Sequence, residues 1–308
     1  MKYRMHILFV VLLSLILLMS CSHPENKINL EEYKNEYSYG LQVFDTSMEM
    51  LPNAIDEFSP NKERIIKFFN LTDHNTDYTL LVTLNGSLCS IKVDGQQAGL
   101  TYNSNAEANS EIEMDVSIQL KEEQLLPEFN YLVFTVITEN QVANVQNTDL
   151  IFNKVSFAHQ LNIPNTVQVA PLKMTIDKND YHLKSDEIID RYKKYQFATL
   201  QDIETKRYEM IINRSLQVDS DKRLGVRVEA VGDNGLYSLL LFYNNKPFLF
   251  SGNKHNYTFE LDGDNMLSKE LEITAEDKEG SLFALVFPLD NENYNPFLTN
   301  KATFEAEF

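Results

Sequence analysis

The sequence predicts a mainly β protein made of two similar antiparallel β-sandwiches in succession, each opened by a short helix. Runs of alternating apolar and polar residues, separated by turn residues, are typical of half-buried strands. One strand–turn–strand pattern occurs twice, with its turn at 85–86 and again at 244–245. The elements around it recur in the same order, which predicts two whole domains rather than a solenoid of short repeats.

The first turn is the strongest local signal in the chain, because Asn85-Gly86 suits a type I′ turn, which needs positive φ at both central residues. A two-residue loop fixes the register and predicts Leu84 opposite Ser87. The alternation predicts that pairing continues along the whole hairpin. The further predicted pairs are Val82 with Cys89, Leu80 with Ile91 and Tyr78 with Val93, and in the second copy Leu241 with Phe248 and Leu239 with Phe250.

The first hairpin is predicted to have one apolar face, because cross-strand partners point to the same side of a sheet. Cys89 lies on that face and is predicted to be a small buried hydrophobe. The alternative is a catalytic thiol, but no histidine lies near Cys89 in the sequence. Leu81 and Leu88 are apolar exceptions on the opposite, otherwise polar face.

The remaining elements follow in the same order in both units. The first unit is predicted to have a helix over 30–37, a polar loop over 101–108, and strands near 39–43, 64–69, 112–118, 129–137 and 150–158. The second is predicted to begin with a helix from Ser185, followed by strands near 224–231, 270–274, 282–287 and 300–305. The predicted offsets between copies are 159 at the hairpin (237 − 78), 153 at the central strand (285 − 132) and 147 at the last strand (300 − 153).

Six or seven short, turn-separated strands per unit resemble an immunoglobulin-like β-sandwich, and a small barrel for each unit is the alternative. The chain has no tryptophan and only two cysteines, so the resemblance implies the architecture and not the tryptophan–disulfide core of antibody domains. The predicted organisation is a signal peptide over 1–20, a modified cysteine and tether over 21–28, a first sandwich over 29–160, a linker over 161–184 and a second sandwich over 185–308.

The N-terminal segment predicts export. Lys2 and Arg4 precede an apolar run over 7–18, and Leu18-Met19-Ser20-Cys21 follows. This segment resembles a bacterial lipoprotein signal peptide with its lipobox. The resemblance implies that Cys21 becomes the first mature residue, carries a diacylglyceryl group, and anchors the chain to the extracytoplasmic face of the cell membrane. The alternatives are an ordinary signal peptide or a transmembrane anchor, although the run is short for a span of ~20 residues.

Composition excludes a nucleic-acid partner. The net charge is −18, and removal of the first 20 residues takes away two basic residues and no acid, giving 25 − 45 = −20. Such a chain repels nucleic acids and anionic headgroups. With Cys21 lipidated, Cys89 has no cysteine left with which to form an intrachain disulfide.

No catalytic, cofactor-binding or metal-binding residue is predicted, because the sequence lacks the spaced histidine, cysteine and glycine motifs of such sites. Acidic loops at 219–221, 262–265 and 290–293 offer oxygen ligands suited to calcium, but none has EF-hand spacing and all suit hairpin turns. The predicted function is a non-catalytic surface lipoprotein that binds an extracellular protein or wall polymer, or acts as a scaffold. The alternatives are an accessory lipoprotein of a secretion or transport system and a cell-wall hydrolase.

Overall fold

The computed structural model describes residues 38–48, 56–127, 130–139, 153–164, 167, 169, 180–183, 196–203, 215–216, 218–219, 221–250, 254–261, 265–277, 279–289, 296–299 and 302–305. They all lie within Ser38–Phe308, which forms one compact unit. Several predicted features lie outside the described residues: the signal peptide, Cys21 and the tether, both predicted helices, and the acidic stretches 262–264 and 290–293.

The described fold is mainly β and antiparallel, as predicted. We call residues 38–164 the first half and 180–305 the second half. The first half has one 3-10 turn, Glu122–Gln124, and the strands β1 (Tyr39–Phe44), β2 (Asp56–Glu57), β3 (Asn61–Asn70), β4 (Thr76–Leu84), β5 (Ser87–Leu88), β6 (Ser90–Val93), β7 (Gln96–Gly99), β8 (Tyr102–Ala106), β9 (Ser110–Gln119), β10 (Tyr131–Glu139) and β11 (Asn153–Asn162).

The second half begins, within the described residues, inside the predicted linker. Its strands are β12 (Tyr181–Leu183), β13 (Phe197–Asp202), β14 (Ser215–Leu216), β15 (Arg223–Val231), β16 (Gly235–Tyr243), β17 (Lys246–Pro247), β18 (Asn256–Leu261), β19 (Asn265–Thr274), β20 (Glu279–Pro288), β21 (Phe297–Leu298) and β22 (Ala302–Glu305).

The two halves share most of their strand order, but the strand beside β9 is β6, whereas the strand beside β19 is β12, which precedes β13 in the chain. In the first half, one sheet runs β1-β3-β9-β6-β7 and the other β2-β11-β10-β4-β5, with β8 also paired to β4. In the second half, the sheets run β13-β15-β19-β12 and β14-β22-β20-β16-β17, with β18 paired to β16 and β21 to β20. Each half has its own apolar cluster, and a third cluster contains residues from both halves.

The predicted hairpins are real but shorter than predicted. Asn85 and Gly86 have φ of 50° and 67°, as a type I′ turn requires, and Leu84 pairs with Ser87. Beyond Leu88 the chain leaves β4 and crosses to the other sheet, where β6 pairs with β9 and β7. The predicted pairings of Leu80 with Ile91 and Tyr78 with Val93 are therefore wrong.

The apolar face predicted from those pairs is nevertheless correct, because β4 and β6 face the same core from opposite sheets. The residues of that face, including Cys89, all belong to the core cluster of the first half. The stretch predicted as a polar loop, 101–108, contains β8, which pairs with β4 where β6 has departed. In the second half β18 does the same for β16, so Leu239 pairs with Tyr257 and not with Phe250.

A shared asparagine contact fixes the correspondence between halves. Asn85 donates its backbone N–H to the carbonyl of Tyr131, 3.0 Å, and its side-chain oxygen accepts from the Tyr131 N–H, 2.9 Å. Asn244 makes the same two contacts with Ser281, at 2.9 and 2.8 Å. The offsets are thus 159 at the turn (244 − 85) and 150 at the central strand (281 − 131).

The predicted offset of 153 for the central strand is therefore wrong. It would match Val133, which belongs to the cluster shared between the halves, with Val286, which belongs to the core of the second half. An error of three residues reverses the two faces of a strand, because side chains alternate with a period of two. At the last strand, His159 lies opposite Leu132 and Ala302 opposite Leu282, giving an offset of 143 (302 − 159) instead of 147.

The two halves meet through the outward faces of β4, β10, β16 and β20. Leu81, one of the two apolar exceptions noted in the first hairpin, is fully buried in this shared cluster, and the other, Leu88, is partly buried against it. The Ser238 hydroxyl donates to the carbonyl of Gly86 across the contact, 2.9 Å. The other buried members of the shared cluster are Tyr131, Val133, Ile137, Leu240, Phe242, Phe283, Leu285, Phe287 and Leu289.

Candidate functional site: a polar groove and a buried charge cluster

A groove of about 270 Å³ runs along the outward face of strands β3, β9, β6 and β7 in the first half. Inward-facing residues of β3 such as Ile66 and Phe68 are fully buried, so the residues that alternate with them face outward. The groove is lined on that face by the polar side chains of Asn61, Glu63, Ser90, Lys92, Gln97, Ser117 and Gln119.

Strand register arranges these side chains in two rows across the sheet. Asn61 lies opposite Gln119, which lies opposite Ser90. One step along the strands, Glu63 lies opposite Ser117 and Ser117 opposite Lys92, which itself lies opposite Gln97. Cross-strand neighbours have Cβ atoms about 4.5–5.5 Å apart, and the next outward residue along a strand is about 6.6 Å away. The groove therefore presents a regular grid of amides, hydroxyls and two opposite charges.

These seven side chains have no hydrogen-bond or ion-pair partner among the described residues, whereas Lys62, which also lines the groove, pairs with Asp56. The corresponding face of the second half differs, because its charges pair with one another across the strands. Arg223 lies 3.5 Å from Glu272, and Arg227 forms an ion pair with Glu270. The polar groups of the groove are thus available to an external ligand, while those on the matching face of the second half are largely satisfied.

A second polar feature lies inside the first half, where the two sheets meet near β2. The Asp56 carboxylate accepts from the Lys62 ammonium, 2.7 Å, and from the Arg64 guanidinium. The Nε2 atom of His159 on β11 lies 3.8 Å from the same carboxylate oxygen. His159 is 1% exposed and Arg64 8% exposed, whereas the Asp56 side chain is 26% exposed, so the cluster extends from the interior of the sandwich to its surface. We call Asp56, Lys62, Arg64 and His159 the buried charge cluster.

The cluster perturbs the protonation of its members. Burial lowers the pKa of His159, and the attraction of Asp56 only partly offsets this effect, since Arg64 and Lys62 lower it further. Burial alone would raise the pKa of Asp56, but the hydrogen bond and charge of Lys62, together with Arg64, bring it below its ordinary value. At neutral pH the cluster therefore holds one carboxylate against two cations.

Cys89, Asp219 and His74 carry groups that could act at a site, but each has a local structural setting. Cys89 is buried and free, as predicted, and burial raises the pKa of its thiol to about 12. Asp219 accepts from the backbone N–H groups of Asp221 and Arg223, which closes a turn. His74 is paired with its neighbour Asp73 at 3.2 Å in a loop. No group of three or more histidine, cysteine, aspartate or glutamate residues suited to a metal ion occurs in the described ranges.

The groove could not be predicted from the sequence. Its alternation correctly identified the polar face of β9, which includes Ser117 and Gln119. The strands that complete the groove come from before and after the first hairpin, and β6 was expected in the other sheet. No local pattern brings these strands together.

Of the described helical residues, none forms a helix long and apolar enough to cross a membrane.

Comparison with known proteins gives little. No protein-family model matches the chain, and no curated protein matches it. Among solved structures, a transglutaminase from red sea bream has 9% identity and a TM-score of 0.20; the match covers 93% of this chain and 34% of that one. The major pilin subunit BcpA of Bacillus cereus has 10% identity and a TM-score of 0.23, covering 87% of this chain and 71% of that one. Its D312A form has 11% identity and a TM-score of 0.24, covering 87% and 66%. At these scores the likenesses carry no argument about this chain.

Proposed function

We propose that this protein is a non-catalytic cell-surface lipoprotein that binds a hydroxyl- and amide-rich wall polymer through the groove of its first half. The observation that carries the proposal is the set of outward polar side chains without partners among the described residues. Amide groups both donate and accept hydrogen bonds, and Glu63 and Lys92 add one acceptor and one donor of opposite charge. A polymer whose repeating units carry hydroxyls and amides offers complementary groups along the strands.

Attachment to the membrane is the second part of the proposal. It rests on the lipobox-like sequence ending in Cys21 and on the apolar run before it. Lipid on Cys21 would hold the groove close to the envelope while the acidic mature chain stays in solution. Mass spectrometry of the N-terminal peptide should find the lipid on Cys21, and a Cys21→Ser variant should be released from membranes. A membrane-bound Cys21→Ser protein would contradict this part.

We also propose that the two halves are tandem immunoglobulin-like domains of common origin, spanning about 29–160 and 185–308. Support comes from the strand order that the two halves largely share and from the matching contacts of Asn85 and Asn244. In this interpretation the second half supports the first half structurally and does not bind the polymer, because ion pairs occupy its matching face.

The binding proposal is tested by co-sedimentation with insoluble peptidoglycan and by titration with soluble wall polysaccharide. The variant combines Asn61→Ala, Lys92→Ala and Gln119→Ala, which removes three polar side chains from the groove. Each lost hydrogen bond costs about 0.5–1.5 kcal/mol, so the affinity should fall roughly 30-fold or more if about 2 kcal/mol is lost in total. All three positions are on the protein surface, so the fold should persist.

The matched control combines Arg223→Ala with Arg227→Ala on the corresponding face of the second half. This control should bind like the unmodified protein. If the groove variant retains full affinity, or if both variants lose it equally, the groove is not the binding site.

A further inference from the structure

The buried charge cluster occupies a position that the second half fills with apolar residues. Asp56 lies opposite Leu161 in the parallel pairing of β2 with β11, and Leu216 lies opposite Phe304 in the parallel pairing of β14 with β22. His159 precedes Leu161 by two residues, as Ala302 precedes Phe304. The second-half position of Asp56 is therefore held by Leu216, and that of His159 by Ala302.

The third member follows the same correspondence. Arg64 comes eight residues after Asp56 (64 − 56), and Leu224 comes eight residues after Leu216 (224 − 216). Leu216, Leu224 and Ala302 all belong to the apolar core of the second half. The same arrangement of three strands is thus built once with a partly exposed aspartate and a buried arginine and histidine, and once with two leucines and an alanine. The fold itself does not require the charges.

The charges are also incompletely satisfied. Both ring nitrogens of His159 and the Nε atom of Arg64 are buried without a hydrogen-bond partner among the described residues. Buried polar groups without partners are destabilising, and replacing buried ionic groups by well-fitted apolar ones is often neutral or stabilising. The fold does not need this cluster, and the cluster contains buried polar atoms without partners among the described residues. These two observations indicate that the cluster has a role other than stability.

Protonation of His159 would add a third positive charge to a site with one carboxylate. The groups that face the imidazole are Asp56 from β2 and Lys62 and Arg64 from β3. Because the pKa of His159 is lower in the folded protein than the ~6.5 of an unfolded chain, the folded site loses stability as pH falls through about 6.5. Asp56 has a lowered pKa and stays ionised over this range, so the histidine is the group that responds first.

The cluster includes a residue of a very short strand, because Asp56 belongs to β2. Strand β2 has two residues, and a hydrogen bond from the Phe58 N–H to the Asn162 carbonyl, 2.7 Å, extends its contact with β11. We propose that Asp56, Arg64 and His159 form an acid-sensitive latch, which holds β2 on β11 at neutral pH and releases it in mildly acidic surroundings. Release uncovers the backbone of β11 at Leu161 and Asn162, an edge able to pair with a strand of another chain.

Hydrogen exchange of the full chain, followed by mass spectrometry at about pH 7.5 and about pH 5.5, tests the latch. Rates are corrected for the intrinsic pH dependence of exchange. Peptides covering 56–60 and 158–163 should exchange up to tenfold faster per pH unit below about 6.5, which is the limit for the uptake of one proton. The matching segments of the second half, 215–216 and 302–305, are an internal control and should not respond.

Two variants make the test decisive. The triple variant Asp56→Leu, Arg64→Leu and His159→Ala installs the residues of the second half and should make exchange at 56–60 independent of pH. The single variant His159→Gln keeps a polar side chain that cannot become charged and should also abolish the response. The latch is refuted if the unmodified protein shows no change at 56–60, if the second-half segments respond equally, or if His159→Gln responds like the unmodified protein.

Discussion

Replacing Gly86 by alanine tests the contact between the two halves at a single atom. Gly86 has φ of +67°, and a Cβ added there would lie 2.5 Å from the Cβ of Ser238 and 3.2 Å from the Cβ of Phe287. Both neighbours belong to the second half, on strands β16 and β20. The added methyl group therefore acts against the contact between halves and not within the first hairpin.

The expected loss of folding stability in Gly86→Ala has two parts. An alanine in the left-handed region is unfavourable by roughly 1–2 kcal/mol, and overpacking of a close contact costs typically about 1–3 kcal/mol. Gly86→Ala should thus lower the free energy of unfolding by about 2–5 kcal/mol. Gly95 provides the matched control, because its φ is +75° and an added Cβ would meet nothing within 4 Å. Gly95→Ala should cost only the backbone part, about 1–2 kcal/mol.

Urea titration followed by far-ultraviolet circular dichroism measures the free energy of unfolding of both variants. The difference between the two losses gives the contribution of the contact between the halves. The double variant Gly86→Ala with Ser238→Gly removes the nearest atom and should recover part of the loss. If Gly86→Ala and Gly95→Ala cost the same free energy to within about 0.5 kcal/mol, the halves do not meet at Gly86 as described.

Two further predictions concern titratable groups, the buried Cys89 and the partly buried Lys154. In a Cys21→Ser protein, where Cys89 is the sole cysteine, the thiol should not react with a disulfide reagent at about pH 8 until the protein is unfolded, because burial raises its pKa to about 12; rapid reaction of the folded protein would contradict this. Burial lowers the pKa of Lys154 to about 8, below the ~10.4 of an unfolded chain, so the free energy of unfolding should rise with pH between these two values. In urea titrations, Lys154→Met should remove this rise and should stabilise the protein at neutral pH. An unchanged pH slope in Lys154→Met would refute this assignment.

Strands and their inward faces could be predicted from the sequence because alternation reports burial directly. The turn at Asn85-Gly86 was predicted down to its positive φ values, and the burial of Cys89 followed from its face. The sheet to which β6 belongs could not be predicted in this way. A strand that continues a hairpin and one that crosses to the opposite sheet show the same alternation, since both turn their apolar residues toward one core.

The contact between the halves and the buried charge cluster were harder to predict, because each depends on strands that are far apart in the sequence. Leu81 and Leu88 interrupt the alternation, which indicates that the outward face of the first hairpin is covered. The sequence does not show which residues cover it. Arg64 begins a predicted strand, and the sequence around His159 carries no ligand or catalytic motif. Their proximity to Asp56 depends on two sheets and three strands, so no local pattern in the sequence reports it.

The contact between the halves also constrains the order of events when the protein is made. Synthesis completes the first half before the second exists, so Leu81, Val133 and Ile137 have no cover during that interval. Exposed apolar sheet faces of this kind promote aggregation. A truncated chain ending after the first half would keep that face uncovered permanently, and the nascent protein therefore depends on its own second half, or on a chaperone, to remain soluble.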